Sequence, residues 1–209
     1  MTFNSLVESI KKLPSSYNEL WRVWYNNGKL NYVGNIKNNQ KSGMWSFFHP
    51  NGQKESEGEF VKGEKQGCWI EWYENGQISS QREFENNQKN GLFKFWYKNG
   101  RVEVQGNYLN DNRIGKWSWY KRTGQISSLV EYEIGGKETG VYKSWYENGQ
   151  IECQGYHDND LRVGEWSWWY ENGQIATKGS YNNKAEKIGE WQWWYKDGTK
   201  KAESLNIIH

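Results

Sequence analysis

A motif of about 24 residues recurs along most of this 209-residue chain. Each copy begins with an aromatic residue, taken here as position 0, and successive copies are spaced by 24 or 25 residues. The eight starting residues are Trp21, Trp45, Trp69, Phe93, Trp117, Tyr142, Trp166 and Trp191. Self-similarity at a fixed period of this length is typical of repeat architectures, in which each unit buries its apolar face mainly against its neighbours.

The centre of each copy carries a signal for chain reversal. Position 7 is Gly in all eight copies, and Asn precedes it in six of them. Asn-Gly between apolar residues is typical of a type I′ hairpin turn, whose two central residues both need positive φ. We therefore expect each copy to be a strand, a tight turn and a second strand. A second turn rich in Asn, Lys and Gly, such as NNQKSG, should link each copy to the next.

The predicted fold is all-β: an elongated, twisted antiparallel β-meander of about eight hairpins. Across the Asn-Gly turn, position 4 should face position 9, position 3 should face position 10 and position 0 should face position 13. We expect a capping helix and linker over residues 1–20, a single repeat array over 21–203 and a tail over 204–209. The helix prediction depends on Ser5 and Glu8, which form a capping-box pattern ahead of apolar residues at helical spacing.

Strand alternation divides each hairpin into two faces. We place positions 0, 2, 4, 9, 13 and 15, which are mostly aromatic or apolar, on a structural face. Position 13 is usually Gly, and the ring at position 0 opposite it should cover it. Gly106→Val is therefore predicted to destabilise the fold more than Lys98→Ala, because it would crowd the ring of Phe93.

The other face is polar apart from one stripe of aromatic residues at position 3. An exposed row of Trp and Tyr is typical of a contact surface, because these residues are preferred anchors of protein interfaces. A purely structural role stays open, since large neighbouring rings also stabilise cross-strand pairs. We take the stripe as the candidate partner-binding site: Trp24, Phe48, Trp72, Trp96, Tyr120, Trp145, Trp169 and Trp194.

Charge and motifs limit the classes of function. Lys and Arg number 27 and Asp and Glu 25, so the net charge of +2 provides no basic surface for nucleic acid. The three His residues occupy different repeat positions, and no Cys/His spacing suits zinc. The glycines recur with the repeat and are explained by turns rather than by a phosphate-binding loop. We therefore predict a non-enzymatic protein without a metal or cofactor.

Two further features bear on the cellular compartment. Cys68 and Cys153 should lie about seven strands apart, beyond disulfide reach, and free thiols are typical of a reducing compartment. The N-terminal sequence lacks the continuous apolar core of a signal peptide, and no segment has an apolar run long enough to span a bilayer. We expect a cytoplasmic protein.

Several copies share the pattern G-x-W-x-x-W-Y-x-N-G-x-I, followed by G-x-Y and a polar turn. Examples are GCWIEWYENGQI, GLFKFWYKNGRV, GVYKSWYENGQI, GEWSWWYENGQI and GEWQWWYKDGTK. Over about residues 21–203, this pattern resembles the MORN repeat in its bacterial variant form. Departures are local: Tyr120 and Lys121 stand where Trp-Tyr is usual, and His49 and Pro50 stand in the second copy.

The resemblance implies a fold and a role rather than a particular partner. MORN-type arrays are similar to elongated β-meanders that act as scaffolds or protein-binding modules, and lipid binding has also been proposed for the family. Bacterial variants are often labelled antitoxins, which implies a toxin as the protein partner and an immunity role. A lipid- or glycan-binding module is the alternative, and the oligomeric state is left open.

Overall fold

The computed structural model describes residues 18–202, which form fifteen β-strands and no helix. The predicted capping helix and the C-terminal tail lie outside the described residues. The chain divides into two compact units, Met1–Gln88 and Lys89–His209. Within each unit every strand pairs antiparallel with the next one along the chain, so the all-β meander is confirmed.

The first unit contains six strands, which form three hairpins. Hydrogen-bonded ladders join each strand to its sequence neighbour. The strands are β1 (Asn18–Trp24), β2 (Leu30–Lys37), β3 (Gln40–Phe48), β4 (Lys54–Val61), β5 (Glu64–Trp72) and β6 (Ile78–Glu85).

The second unit contains nine strands in the same arrangement. Its least regular ladder joins β10 to β11, where only two register pairs and one isolated bridge form. The strands are β7 (Gln88–Trp96), β8 (Val102–Leu109), β9 (Asn112–Tyr120), β10 (Ile126–Tyr132), β11 (Gly140–Trp145), β12 (Ile151–Asp158), β13 (Leu161–Trp169), β14 (Ile175–Tyr181) and β15 (Lys187–Trp193).

The Asn-Gly turns reverse the chain as predicted, but their type is different. In the first copy only Gly28 has positive φ, at 78°, and Asn27 does not. The Gly28 amide donates to the Tyr25 carbonyl at 3.0 Å, and the Tyr25 amide donates to the Lys29 carbonyl at 2.8 Å. This is a three-residue loop, a type I turn closed by a glycine bulge, rather than a type I′ turn. With its backbone at negative φ, Asn27 accepts a hydrogen bond from the Lys29 amide through its side chain.

Most linking turns, by contrast, have the geometry that was predicted for the Asn-Gly turns; the two longer ones, after β10 and after β14, are three-residue loops. Asn38 and Asn39 have φ of 52° and 61°, and Lys37 pairs directly with Gln40. Two consecutive residues of positive φ between paired flanking residues are typical of a two-residue type I′ turn. Asn and Asp tolerate this left-handed conformation better than most other side chains. They supply both residues again at Asn86 with Asn87, Asn110 with Asp111, and Asn159 with Asp160.

The bulge shifts the register on the side of the hairpin near the turn. Position 0 faces position 13 as predicted, for example in the Trp45↔Gly58 and Phe93↔Gly106 pairs. Position 3, however, faces position 9 rather than position 10, and position 4 bonds to position 8. Since directly paired residues project to the same face of a sheet, position 9 joins the position-3 residues. Its predicted place on the structural face is wrong.

The core of each unit is a row of rings on the structural face. The Trp residues at position 0 in β3, β5, β9 and β13 are almost wholly buried. Each covers the position-13 Gly of the preceding copy: a Cβ atom on Gly106 would lie 2.2 Å from Cδ2 of Trp117. The same indole donates from Nε1 to the Asn107 carbonyl at 3.1 Å. The ring that covers Gly106 is therefore Trp117 on the next strand, and not Phe93, which is only its paired neighbour.

Candidate functional site

The aromatic stripe lies on the sheet face opposite this core, which we call the position-3 face. In the first unit the fold brings Trp24, Phe48 and Trp72 to equivalent places on alternate strands. In the second unit the same places hold Trp96, Tyr120, Trp145, Trp169 and, just after β15, Trp194. Trp24 is 55% exposed, and the other seven rings are half-buried. Their role in binding stays a prediction.

Aliphatic residues at position 9 widen this stripe, which the sequence reading missed. The register pairs each position-3 ring of a complete hairpin with position 9 of the same copy. The seven partners are Leu30, Lys54, Ile78, Val102, Ile126, Ile151 and Ile175. Six of the seven are apolar, so the face carries rows of paired aromatic and aliphatic side chains. The apolar pattern at position 9 was visible in the sequence, but its face depends on the bulge.

Grooves open on this face between successive copies. One, of about 340 Å³, is lined by Gln53, Lys54, Trp72 and Gly76. A second, of about 730 Å³ in the other unit, includes the residues at the same repeat positions: Arg101, Val102, Tyr120 and Gly124. Each groove thus combines positions 8 and 9 of one copy with positions 3 and 7 of the next. The recurrence indicates that the groove is a product of the repeat itself.

Polar groups lie beside the rings in both grooves. The Lys54 Nζ atom is 5.3 Å from the ring centroid of Trp72, and Lys94 has the same distance to Trp96. Gln105 Nε2 lies 3.4 Å from the Tyr120 hydroxyl. Aromatic side chains and Arg are enriched at protein interfaces, whereas Lys is depleted there, so the rings rather than the Lys side chains resemble an interface.

Side chains at position 4 hold the backbone of the position-3 residues in place. The hydroxyls of Tyr25, Tyr97, Tyr146 and Tyr170 donate to the carbonyls of Phe48, Tyr120, Trp169 and Trp194 over 2.6 to 2.8 Å. Where Tyr is replaced, the bond persists: His49 Nε2 lies 2.8 Å from the Trp72 carbonyl. Lys121 Nζ donates to the Tyr146 carbonyl of the next copy. Within each unit, the backbone that carries the stripe is therefore bonded to a position-4 side chain of the preceding copy.

The Asn residue at position 6 adds a second link along the same edge. Asn99 Nδ2 donates to the Arg122 carbonyl at 2.9 Å, while its Oδ1 accepts from the Arg101 amide at 3.1 Å. The Asn side chain thus closes its own turn and bonds to the next one. This double use explains why Asn recurs before Gly although the turn is not of type I′.

The opposite, aromatic face of each unit carries cations above its position-0 rings. Six position-0 rings have a Lys or Arg from four residues earlier above them, between 4.2 and 5.7 Å from the ring centroid. These cations are Lys41, Lys65, Lys89, Arg113, Arg162 and Lys187. Burial lowers the pKa of Lys41 and of Lys65. Cation–π contacts of this kind stabilise by about 0.5 to 2 kcal/mol each.

The copy that begins at Tyr142 departs from this row. Glu138 takes the place of the cation, and His157 takes the place of the Phe or Tyr usual at position 15. The His157 ring lies 5.4 Å from Tyr142 and 5.0 Å from Trp166, and its Nδ1 is 3.3 Å from Glu138 Oε2. Burial lowers the pKa of His157, and the Glu138 carboxylate opposes that shift.

Reactive and metal-binding groups are sparse on both faces. Within residues 18–202, no three or more His, Cys, Asp and Glu side chains come together to hold a metal ion. Cys68 is an exposed free thiol, and Cys153 is a buried one whose Sγ lies 3.2 Å from Ser144 Oγ. A search of the described part of the chain finds no helix long and apolar enough to cross a membrane.

Comparison with models of known protein families gives a match. The model of the family described as MORN repeat variant matches six segments, which together make up more than half of the chain: 20–38, 41–62, 65–86, 89–110, 138–159 and 162–183. These segments correspond to six of the eight copies, without those that begin at Trp117 and Trp191. No curated protein matches the sequence.

Proposed function

Because the chain belongs to the MORN repeat variant family, we propose that it is a non-enzymatic scaffold that binds a protein partner through its position-3 face. MORN repeats are scaffolds that bind proteins or membranes, so the general role follows from the family. The choice of a protein partner, and of this face, is our own inference.

The observation that carries the proposal is the half-exposed row of aromatic and aliphatic pairs. The rings at position 0 already provide each unit with a buried core on the opposite face. The position-3 rings are therefore not needed to fill that core, and grooves separate them instead. Burial of exposed aromatic surface by a partner protein lowers the free energy of the complex.

A three-ring variant tests this proposal. Trp96→Ala, Trp145→Ala and Trp169→Ala remove rings from the position-3 face, whereas Trp193→Ala removes a comparably exposed indole on the aromatic face. Affinity capture from native extract with the full chain should recover a stoichiometric partner, and so should capture with Trp193→Ala. The triple variant should lose that partner while circular dichroism and thermal melting show that it is folded. A folded triple variant that still captures the partner would overturn the proposal.

We propose a toxin as the first partner to test, since MORN variants are often labelled antitoxins. The product of a gene beside the one that encodes this chain should arrest growth when it is expressed alone. Co-expression of the wild-type chain should relieve the arrest, and co-expression of the folded triple variant should not. Relief by both chains would place neutralisation elsewhere on the molecule.

The cation row on the aromatic face favours a second candidate, an anionic membrane surface. The Lys41 and Lys65 ammonium groups lie over rings, and no carboxylate among the described residues forms an ion pair with either. Flotation with vesicles that contain phosphatidylserine should carry the chain upward, and the double variant Lys41→Gln and Lys65→Gln should float less. Equal flotation with neutral vesicles, or none at all, argues against this candidate.

A further inference from the structure

The two grooves that recur on the position-3 face differ in charge. The larger one, of about 730 Å³, which we call the cationic groove, is lined by Lys94 and Arg101 and by no carboxylate. In the smaller one, of about 340 Å³, the single cation Lys54 lies 2.6 Å from Glu57 Oε2, which neutralises it. Glu57 occupies position 12 of its copy, and Gln105 occupies that position at the cationic groove. The cationic groove therefore keeps a net positive charge.

Both cations of this groove lack a carboxylate partner. Among the described residues, no ion pair involves Lys94 or Arg101. The carboxylates of adjacent segments lie elsewhere: Glu147 is 3.8 Å from Lys121, and Glu103 does not line the groove. The two positive charges can therefore pair with an anionic group from another molecule.

The turn of the next copy orients the guanidinium of Arg101. Its Nη1 atom donates to the Thr123 carbonyl and, at 3.2 Å, to the Arg122 carbonyl. Its Cδ atom would lie 3.4 Å from a Cβ atom added to Gly124, so the side chain lies across that glycine. Among the described residues, nothing bonds to Nε or Nη2. These two donors can bind one carboxylate through parallel hydrogen bonds, and a guanidinium oriented in advance loses less freedom when it does so.

A second set of donors lies at the other end of the groove. Lys94 pairs with Gln105 in the ladder, about 10 Å along the strands from the turn that carries Arg101. The Tyr120 hydroxyl accepts from Gln105 Nε2 at 3.4 Å, so its own O–H can donate to a bound group. Val102 and the ring of Tyr120 also line the groove. It thus offers a donor site for an anion at each end and apolar surface as well.

The groove recurs from copy to copy, but this combination of residues does not. Position 8 is Arg only at Arg101, and position 3 is Tyr only at Tyr120. Position 1 is Lys at both Lys94 and Lys143, but the copy that contains Lys143 has Gln150 at position 8. A partner that recognises the whole combination is confined to one place in the array.

We propose that the cationic groove binds an extended segment of a partner protein in which two acidic residues flank a bulky apolar one. The first carboxylate accepts from Nε and Nη2 of Arg101, and the second pairs with Lys94 and accepts from the Tyr120 hydroxyl. The apolar side chain packs on Val102 and on the ring of Tyr120. This inference rests on the proposed protein-binding function and assigns a site and a partner chemistry to it.

Peptide selection against the full chain tests this chemistry without knowledge of the natural partner. A phage-displayed library of random linear peptides is panned on the wild-type chain. The double variant Arg101→Gln and Lys94→Ser serves for counter-selection, because other copies have Gln53 and Ser46 at these positions. The enriched sequences should contain two acidic residues within about four positions, the span of about 10 Å in an extended chain, with a bulky apolar residue between them. Enrichment without acidic residues, or no enrichment, would overturn the proposal.

A cycle of variants then assigns each contact. A selected peptide with an amidated C-terminus is compared by fluorescence anisotropy with two twins, in each of which one acid is changed to its amide. The wild-type chain should bind the parent about tenfold more tightly than either twin, as expected for a hydrogen bond to a charged group. Arg101→Gln should remove the difference for one twin, and Lys94→Ser should remove it for the other.

Lys29→Gln is the matched control for this cycle. Lys29 occupies position 8 in the first copy and, like Arg101, donates to a carbonyl of the next turn. Its loss should preserve both differences. If Arg101→Gln or Lys94→Ser weakens the parent and both twins by the same factor, or if Lys29→Gln acts as Arg101→Gln does, the assignment fails.

The hydroxyl of Tyr120 is tested by Tyr120→Phe, which keeps the ring and installs the residue that Phe48 provides in another copy. This variant should bind the parent peptide about fivefold more weakly, the loss expected for one hydrogen bond. It should not weaken the twin that lacks the acid at Lys94. Equal affinity for the parent contradicts the contact. Binding only by peptides with a free C-terminus, or displacement of the peptide by single-stranded DNA or by vesicles that contain phosphatidylserine, contradicts the choice of an internal acidic segment.

The two proposals fail in different ways. If the three-ring variant loses the native partner and the double variant Arg101→Gln and Lys94→Ser retains it, the protein-binding role stands and the cationic groove does not. If the double variant loses the partner and the three-ring variant retains it, the groove stands and the three rings are structural.

Discussion

Gly106→Ala should be among the most destabilising single changes in this chain, although it adds one methyl group. The new Cβ would lie 2.2 Å from Cδ2 and 2.3 Å from Cε2 of the Trp117 indole, which is 2% exposed. That ring cannot move aside freely, because it packs edge-on against Tyr108 at 5.0 Å, beneath Arg113 at 4.8 Å, and bonds to the Asn107 carbonyl. Overpacking a core costs about 1 to 3 kcal/mol. Loss of a buried Trp costs about 3 to 5 kcal/mol.

We therefore expect Gly106→Ala to lower the free energy of unfolding by at least about 3 kcal/mol, since the indole has to leave its site. Gly115→Ala on the same strand as Trp117 is the matched control. Gly115 has φ of 61° and nothing within 4 Å of its added Cβ, so its cost is backbone strain alone, about 1 to 2 kcal/mol. Urea denaturation followed by far-ultraviolet circular dichroism measures both, with coincident fluorescence transitions as the test of two-state behaviour.

A double-mutant cycle separates crowding from any other cause. In a Trp117→Ala background the three atoms nearest to the added methyl, all of the indole, are gone, and the φ of Gly106 lies outside the left-handed region. Gly106→Ala should then be neutral or stabilising by about 0.5 to 1 kcal/mol, because Ala is better than Gly within a strand. The sign of the effect should therefore reverse between the two backgrounds. Equal costs in both backgrounds, or a cost no greater than that of Gly115→Ala, would refute the reasoning.

Three further predictions concern single side chains. Since burial lowers the pKa of His157 in the folded chain, protonation favours unfolding; stability should be complete above the unfolded pKa of about 6.5 and should fall as the pH drops through it. His157→Phe should flatten the dependence of the thermal midpoint on pH, and an unchanged slope contradicts this. Lys121→Met removes the donor to the Tyr146 carbonyl and should lower the free energy of unfolding, measured in urea, by about 1 to 3 kcal/mol. Lys121→Tyr should recover part of that stability. Equal stability of the three chains would disprove the prediction. The pKa values of the Cys68 and Cys153 thiols are both raised by burial, so access should decide which of them reacts. Cys68 is exposed and Cys153 is buried, so alkylation of the native chain should modify Cys68 first and Cys153 only after unfolding. Equal alkylation rates by mass spectrometry would contradict this.

The sequence sufficed for the fold class because the repeat signals chain reversal many times over. Each Gly at position 7 does lie at a turn, and position 0 does face position 13. The turn type was wrong because Asn-Gly fits both a two-residue type I′ loop and the end of a three-residue type I loop with a glycine bulge. The two loops differ by one residue, and a one-residue slip moves side chains to the other face. That slip is why position 9 was assigned to the structural face.

The covering of Gly106 shows a different limit of sequence reading. A residue in a sheet has a neighbouring strand on each side. Pairing across the turn of a hairpin identifies only one of these two strands. The sequence pairs Gly106 with Phe93 within the hairpin, but the ring that lies on the glycine comes from Trp117 on the strand beyond the linking turn. Only coordinates show that the indole of Trp117 lies over Gly106 on the neighbouring strand. The repeat spacing alone does not contain that information.

The sequence predicted only the part of the candidate site that lies within single copies. The eight aromatic residues at position 3 follow from alternation, because each belongs to one strand and one copy. The grooves beside them do not, since each is built from two copies, as Arg101 and Tyr120 illustrate.

A surface that repeats with every copy does not by itself fix where along the position-3 face a partner binds. A partner that contacts only features common to every copy could bind equally well one copy further along, a displacement of about 9 to 10 Å at the usual spacing of two strands. A single binding register needs a feature that occurs once, and within the second unit such features concentrate around β10 and β11. Their linking turn carries one of the two one-residue insertions of this unit, and Ile134 there is 82% exposed. Lys121, which occurs once, replaces the usual Tyr in the hairpin before it. If a partner binds this face, the same departures that weaken the repeat pattern are the ones that would fix its register.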